Sequence, residues 1–169
     1  ILDIMEKLLA ERVNDKIRLR FTFEIDENAH VQDMRSFRLI SESDEFTITV
    51  NGMPVKWDGR SWWLDKSFRS IDIRSFVKPG LNEIIVDGAF AQRQKVYDVL
   101  FGENVLETER NKLTYDTELE SFYLVGDFSV YSKSGYTEGA RRALFTDGGF
   151  CITDRNTAFK GGDIVPQGY

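Results

Sequence analysis

The sequence is short of the side chains from which most reactive sites are built. It holds one cysteine, Cys151, and one histidine, His30, among 169 residues. A lone cysteine excludes an intramolecular disulfide and leaves the compartment open, because a secreted domain need not carry a bridge. One histidine and one cysteine fall short of a zinc ligand set. Any Ser-His-Asp or Cys-His mechanism would have to run through His30, which lies in a polar loop near Asp33 and reads as a solvated side chain. Cys151 sits within the apolar run Phe150-Cys151-Ile152 and reads as a buried structural thiol, with nothing nearby in sequence to lower its pKa.

Other scarcities narrow the partners. The formal charge is −6 with both signs mixed along the chain. No basic block stands out, so neither nucleic acid nor an anionic membrane is an expected partner. No apolar run approaches the roughly 20 residues that a membrane-spanning helix needs. Gly148-Gly149 and Gly161-Gly162 read as turns, since neither has the spacing of a phosphate-binding loop. Acidic residues are plentiful at 28, so chance pairs such as Asp116 with Glu118, or Asp58 with Asp65, are inevitable. Neither pair has a context that would raise one pKa as glycoside hydrolysis requires, and no catalytic residue is expected. No cofactor is expected either. An oxygen-ligated structural calcium would have to use the loop 26–33 or Asp116–Glu118, without the spacing of an EF-hand.

What is abundant is aromatic residues, 13% of the chain with thirteen Phe, and strand-like alternation. Residues 1–13 place Ile1, Ile4, Met5, Leu8 and Leu9 at helical spacing. The period then changes to two, with Ile17, Leu19, Phe21, Phe23 and Ile25 alternating with polar residues. A second strand is expected over 37–41. A hairpin is expected at Asn51-Gly52, because both residues tolerate positive φ, with Pro54 marking its return arm as an edge. Lys78-Pro79-Gly80 reads as a turn and Ile84-Ile85-Val86 as a strand buried on both faces. Residues 90–118 read as a helical excursion. Strands resume at 119–125 and 128–131, and Arg142–Thr146 with Phe150–Thr153 read as a final hairpin. The expected fold is mainly β: an antiparallel jelly-roll β-sandwich with an N-terminal helix and a short helical insertion. The expected divisions are a linker helix over 1–15, the sandwich over 16–155 and a linker over 156–169. The absence of an initiator Met and the loop-like Gly161–Tyr169 lead to the expectation of a piece of a larger polypeptide.

All three tryptophans fall in Trp57-Asp58-Gly59-Arg60-Ser61-Trp62-Trp63-Leu64-Asp65. An indole can stack on the C–H face of a sugar ring while Asp or Arg binds the hydroxyls at its rim. In a regular strand Trp62 and Trp63 point to opposite faces, so they cannot both enter the core. Two readings follow. Either Trp62 or Trp63 is a sugar platform with Asp58, Arg60 and Asp65 as polar partners, or one tryptophan fills the core while the others cover an edge or an interdomain surface.

The run Val50-Asn51-Gly52, Val55, Trp63, Asp65, Ile71-Asp72-Ile73, Pro79-Gly80, Asn82, Ile84 and Val86 resembles the galactose-binding-like jelly roll attached to many large glycoside hydrolases. It is similar to the sugar-binding domain of glycoside hydrolase family 2 and to sandwich modules of bacterial α-L-rhamnosidase-like enzymes. Tyr123-Leu124-Val125-Gly126-Asp127-Phe128 looks like the late strand of such modules, and the similarity spans roughly residues 17–153. The resemblance implies a non-catalytic accessory module that packs against an adjacent catalytic domain of the same chain and in some cases binds carbohydrate. It transfers no catalytic residue, because the barrel that carries them is absent. The other expectation is a structural or protein-interaction sandwich that binds no sugar.

Overall fold

The computed structural model describes residues 1–42, 45–146 and 148–154. The linker expected over 156–169 lies outside the described residues. Helix α1 (Leu2–Ala10) packs through Ile1, Met5, Leu8 and Leu9, of which only Leu9 is fully buried, while Leu2 and Ile4 are exposed. The helix ends with Arg12 in the left-handed region, where the N–H groups of Arg12 and Val13 bond back to Leu9 O and Leu8 O and satisfy two terminal carbonyls.

Twelve strands follow among the described residues. They are β1 (Asp15–Ile25), β2 (Phe37–Ser41), β3 (Thr47–Val50), β4 (Met53–Val55), β5 (Trp62–Trp63), β6 (Asp65–Asp72), β7 (Gly80–Phe90), β8 (Tyr123–Gly126), β9 (Ser129–Ser132), β10 (Thr137–Glu138), β11 (Leu144–Phe145) and β12 (Phe150–Thr153). Helices α2 (Gln94–Phe101) and α3 (Glu107–Arg110) fill the expected excursion between β7 and β8. The larger sheet has the order β4-β3-β7-β1-β12-β9, and a smaller one the order β5-β6-β2-β8. They are mixed and antiparallel respectively, and the chain passes repeatedly from one to the other. Phe23 of β1 stacks on Phe37 of β2 with ring centres 6.1 Å apart, and Phe37 meets Phe128 at 5.0 Å, so the two sheets share one core. The arrangement is consistent with a β-sandwich.

The long β1–β7 ladder shows why alternation in sequence becomes a face in space. Leu19 opposes Val86 and Phe21 opposes Ile84 on the inner side. On the outer side Arg18 bonds Asp87 at 2.6 Å and Arg20 bonds Glu83. Ile85 also lies on that side and is only half-buried, so β7 is buried on one face and not on both as its apolar run suggested. The hairpin at Asn51-Gly52 forms as expected, with φ of 50° and 79°, and Pro54 lies on β4 at the sheet edge.

The turn before β7 is held by the Asn side chain that the sequence offered for bonding backbone groups, and a bare glycine further along β7 makes room for an aromatic ring. Asn82 is completely buried at the start of β7. Its carbonyl accepts from Lys78 N–H and from Asn51 Nδ2, while its amide donates to Lys78 O and Gly80 O. Gly88 leaves room for the Phe46 ring, which a Cβ there would meet at 2.2 Å.

The last hairpin expected from sequence does not form. β11 pairs with β10, whereas β12 lies between β9 and β1, parallel to β1 at Ile25 and Ile152. Insertion there buries Cys151 and Ile152 and gives both edges of β12 a partner, which a two-residue arm cannot match. The strand expected over 119–125 is also shorter, since pairing begins only at Tyr123.

Candidate functional site

The tryptophan segment forms the free edge of the smaller sheet. The loop before β5 is built by Asp58. Its Oδ1 accepts the N–H groups of Arg60 and Ser61 at 2.8 and 2.7 Å, and its Oδ2 accepts Ser61 Oγ at 2.6 Å. These donors favour the ionised carboxyl and lower its pKa to about 2, the Ser61 hydroxyl first among them. Asp65 does the same one turn later, holding the N–H and Oγ of Ser67, both at 2.9 Å, and its pKa is lowered by those bonds. The two aspartates expected to grip a ligand thus shape the loop that carries the aromatics.

The pairing of β5 with β6 breaks between Trp62 and Trp63. Trp62 lies opposite Arg69 while Trp63 lies opposite Asp65, and Leu64 between them has φ of 61°. Positive φ in a large side chain costs on the order of 1–2 kcal/mol. The irregularity replaces simple alternation, and no tryptophan belongs to the buried core, contrary to the reading that placed one there. Trp62 is 53% exposed. Trp63 meets Phe68 edge-on at 6.2 Å, and Phe68 meets Tyr123 at 6.5 Å, forming an aromatic row on the outer side of the smaller sheet. Arg60 is exposed and its guanidinium has no hydrogen bond or ion pair among the described residues.

Sequence reasoning gave Trp57 no polar partner and left out Arg69 and Lys56. Trp57 Nε1 donates to Ser61 O at 2.6 Å, and the Arg69 guanidinium lies 5.5 Å above its ring. Arg69 also donates to Glu42 O at 3.1 Å. Beside them a cavity of about 280 Å³ opens between the β3–β4 hairpin and β6, with Phe46, Ile48, Val55 and Ile71 inside and Lys56, Trp57 and Arg69 among its lining residues. No local pattern marks this cavity, because its walls come from opposite sheets.

A second cleft, of about 400 Å³, is acidic: Glu42, Glu45, Asp116, Glu118 and Glu120 line it. Burial, then the neighbouring Glu42 and Glu118, hold the Glu120 carboxyl above the usual range. A carboxyl raised in the folded state contributes most below the unfolded value near 4.5, and its contribution is lost as pH rises through the folded value. Glu120→Gln is therefore expected to raise stability at pH 7 by about 0.5 kcal/mol, a size typical of partly exposed charges, with little effect near pH 4. Urea unfolding of the two proteins at both pH values checks this.

The remaining candidates fall elsewhere. His30 is exposed and bonds Asp154, with ring Nδ1 at 3.3 Å from the carboxylate. Cys151 is buried, and burial pushes its thiol pKa up. In the loop considered for calcium, Asp26 accepts Asn28 N–H and the Tyr131 hydroxyl, while Asp116 is held by Arg93. No group of three or more His, Cys, Asp or Glu among the described residues is placed to hold a metal ion.

The chain resembles nothing strongly enough to borrow a role. No protein-family model, curated protein or solved structure matches it. The residues behind the galactose-binding-like resemblance have structural duties in this molecule. Asn51 and Gly52 turn the hairpin, Asn82 ties the corner together, and Ile71, Ile73, Ile84 and Val86 fill the core. That pattern bears on fold, and the functional reading must come from the tryptophan edge.

Proposed function

We propose that this chain is a non-catalytic, jelly-roll carbohydrate-binding module that accompanies a glycoside hydrolase catalytic domain, with Trp62 as the stacking platform. The observation that carries the reading is the Trp62 indole, half in solvent on the short edge strand β5 between two turns that Asp58 and Asp65 hold in shape. An exposed indole is costly to keep in water, and a rigid one binds without the entropy of ordering it. Arg60, two positions earlier in the chain, is exposed, and its guanidinium makes no hydrogen bond among the described residues and can donate to sugar hydroxyls. The chain's repeated passage between two facing sheets supports the jelly-roll assignment.

Titration with oligosaccharides, followed by tryptophan emission and by calorimetry, tests the proposal. Binding is expected at millimolar sugar or below, with Trp62→Ala weakening it about tenfold, the scale of one aromatic contact. Binding that is unchanged in the alanine variant would move the platform elsewhere. The row Trp63–Phe68–Tyr123 favours the second reading, an interaction surface for a neighbouring domain. That reading predicts concentration-dependent self-association of the isolated chain and no response to sugar.

A further inference from the structure

We propose that the cavity between the β3–β4 hairpin and β6 is a binding site for a small, uncharged aromatic molecule. Trp62 is not among its lining residues, so the inference goes beyond the sugar-binding reading and stands or falls apart from it.

The floor of the cavity belongs to the core. Phe46, Ile48, Val55 and Ile71 are all members of the buried cluster that the two sheets share. Ile48 opposes Val55 within the hairpin of the larger sheet, and Ile71 lines the same space from β6 of the smaller one. The walls are held in place by their own ladders, β3 on β7 through Thr47–Val50 and β6 on β2 through Arg69–Asp72. A protein core is packed to crystal density and holds few voids larger than a water molecule. A gap of about 280 Å³ beside such a core forfeits contacts that an apolar guest would restore.

The lining also selects the kind of guest. Among the described residues the one buried side-chain polar atom without a partner is the Tyr97 hydroxyl, and Tyr97 does not line this cavity. No buried polar side chain in the lining is left in need of a partner, so the interior favours an apolar molecule over water. The two cations of the lining do not make it an anion site. Arg69 already donates to Glu42 O and lies over the Trp57 ring, while Lys56 is exposed to solvent. Phe46 and Trp57 bring two rings to the walls, and aromatic pairs gain from edge-on or offset contact beyond the area they bury. Trp57 is anchored by its Nε1–H bond to Ser61 O, so its ring needs little ordering when a guest packs against it.

Size narrows the class further. An apolar cavity of about 150 Å³ holds benzene. At about 280 Å³ this one takes a ring with a short substituent, close to the lower end of small-molecule pockets. An added peptide strand is a poor occupant, because β4 is three residues long and Pro54 offers no N–H.

The test titrates the full chain with benzyl alcohol and with cyclohexylmethanol, its saturated counterpart, and maps amide chemical shifts. Benzyl alcohol is expected to bind at millimolar concentration or below and to shift the amides of residues 46–49, 55–57 and 69–71. It should bind about fivefold more tightly than the saturated alcohol, the scale of one aromatic contact. Val55→Phe, which fills the cavity from its floor, is expected to abolish binding. Trp57→Ala, at an exposed position, should weaken it about fivefold, and Trp62→Ala should leave it unchanged. If the larger side chain prevents folding, Trp57→Ala carries the test alone. Shifts that are absent or scattered over the surface overturn the inference, as does equal binding of the saturated alcohol or an unchanged affinity in Trp57→Ala. None of these results bears on sugar binding at Trp62.

Discussion

Asn82→Ala is expected to destabilise the protein by about 3–4 kcal/mol, measured as the loss of unfolding free energy in urea. The side chain is fully buried and makes four hydrogen bonds, two as acceptor and two as donor. Alanine removes all four and strands the N–H and C=O of Lys78, the C=O of Gly80 and one amide proton of Asn51 away from their partners. Each orphaned group costs about 1–3 kcal/mol where it stays buried and less where water reaches it, as at the exposed Lys78, and four such losses together place the sum at the upper end of single-residue effects. Asn82→Asp separates geometry from chemistry. Its carboxylate can still accept from Lys78 N–H and Asn51 Nδ2 but cannot donate to either carbonyl, and it places a charge at zero exposure. Its folded-state pKa should be raised, so that variant is expected to regain stability as pH falls below the unfolded carboxyl range and to be weakest at neutral pH. An alanine variant as stable as the parent would show that the corner is held by the hairpin and turn alone.

Phe37→Ala is the second large effect, expected at about 3–5 kcal/mol, the usual cost of emptying a buried aromatic site. Phe37 has no exposed surface and touches both halves of the sandwich, stacking on Phe23 of the larger sheet and packing against Phe128. The backbone cannot close over the missing ring, because Phe37 lies opposite Gly126 in the ladder with β8 and its carbonyl accepts the Ile73 N–H. Phe37→Leu keeps much of the volume and should cost no more than about 1.5 kcal/mol. Thermal unfolding followed by near-ultraviolet circular dichroism, which reports the packed aromatics, distinguishes the three proteins. Since Phe37 is fully buried and Trp62 lies exposed on the edge strand, the folded fraction of each variant should keep the parent's sugar affinity.

The strands that could be read directly were those whose burial is one-sided and whose partners are near. Ile17 to Ile25 alternated because each odd residue meets the core, and Asn51-Gly52 announced its hairpin because only those residues take that turn without strain. Sequence also pointed to a segment that cannot be wholly buried. Three tryptophans in nine residues cannot all be buried beside charged neighbours, and Trp62 does stand in solvent. What alternation misjudged was β7, where Ile84-Ile85-Val86 looked doubly buried but Ile85 faces the half-open outer side beside the Arg18–Asp87 and Arg20–Glu83 pairs.

Non-local pairing lay beyond reach. β12 passes over its sequence neighbour β11 to join β1, more than a hundred residues earlier, because only there are both of its edges and the buried Cys151 and Ile152 satisfied. The roles of Asp58 and Asp65 were assigned from residue type alone, as ligands, whereas the backbone N–H groups two and three residues on claim them first. Trp57 and Arg69 went unnoticed as a pair because a cation over an indole is a relation between a loop and a strand twelve positions away.

By itself, then, the sequence determined a strand-rich chain with a helical interruption, an Asn-Gly hairpin and an aromatic, charged segment lacking the residues of common catalytic sites. Those features follow from local periodicity, turn chemistry and residue count, which need no partner to act. The tertiary structure alone decided which strands pair, which face of β7 is buried, and that the acids of the tryptophan segment bind the N–H and hydroxyl donors of their own loops. The first two depend on groups far apart in the chain competing for the same hydrogen bonds and the same buried volume, and that competition is resolved only when the two sheets close on each other.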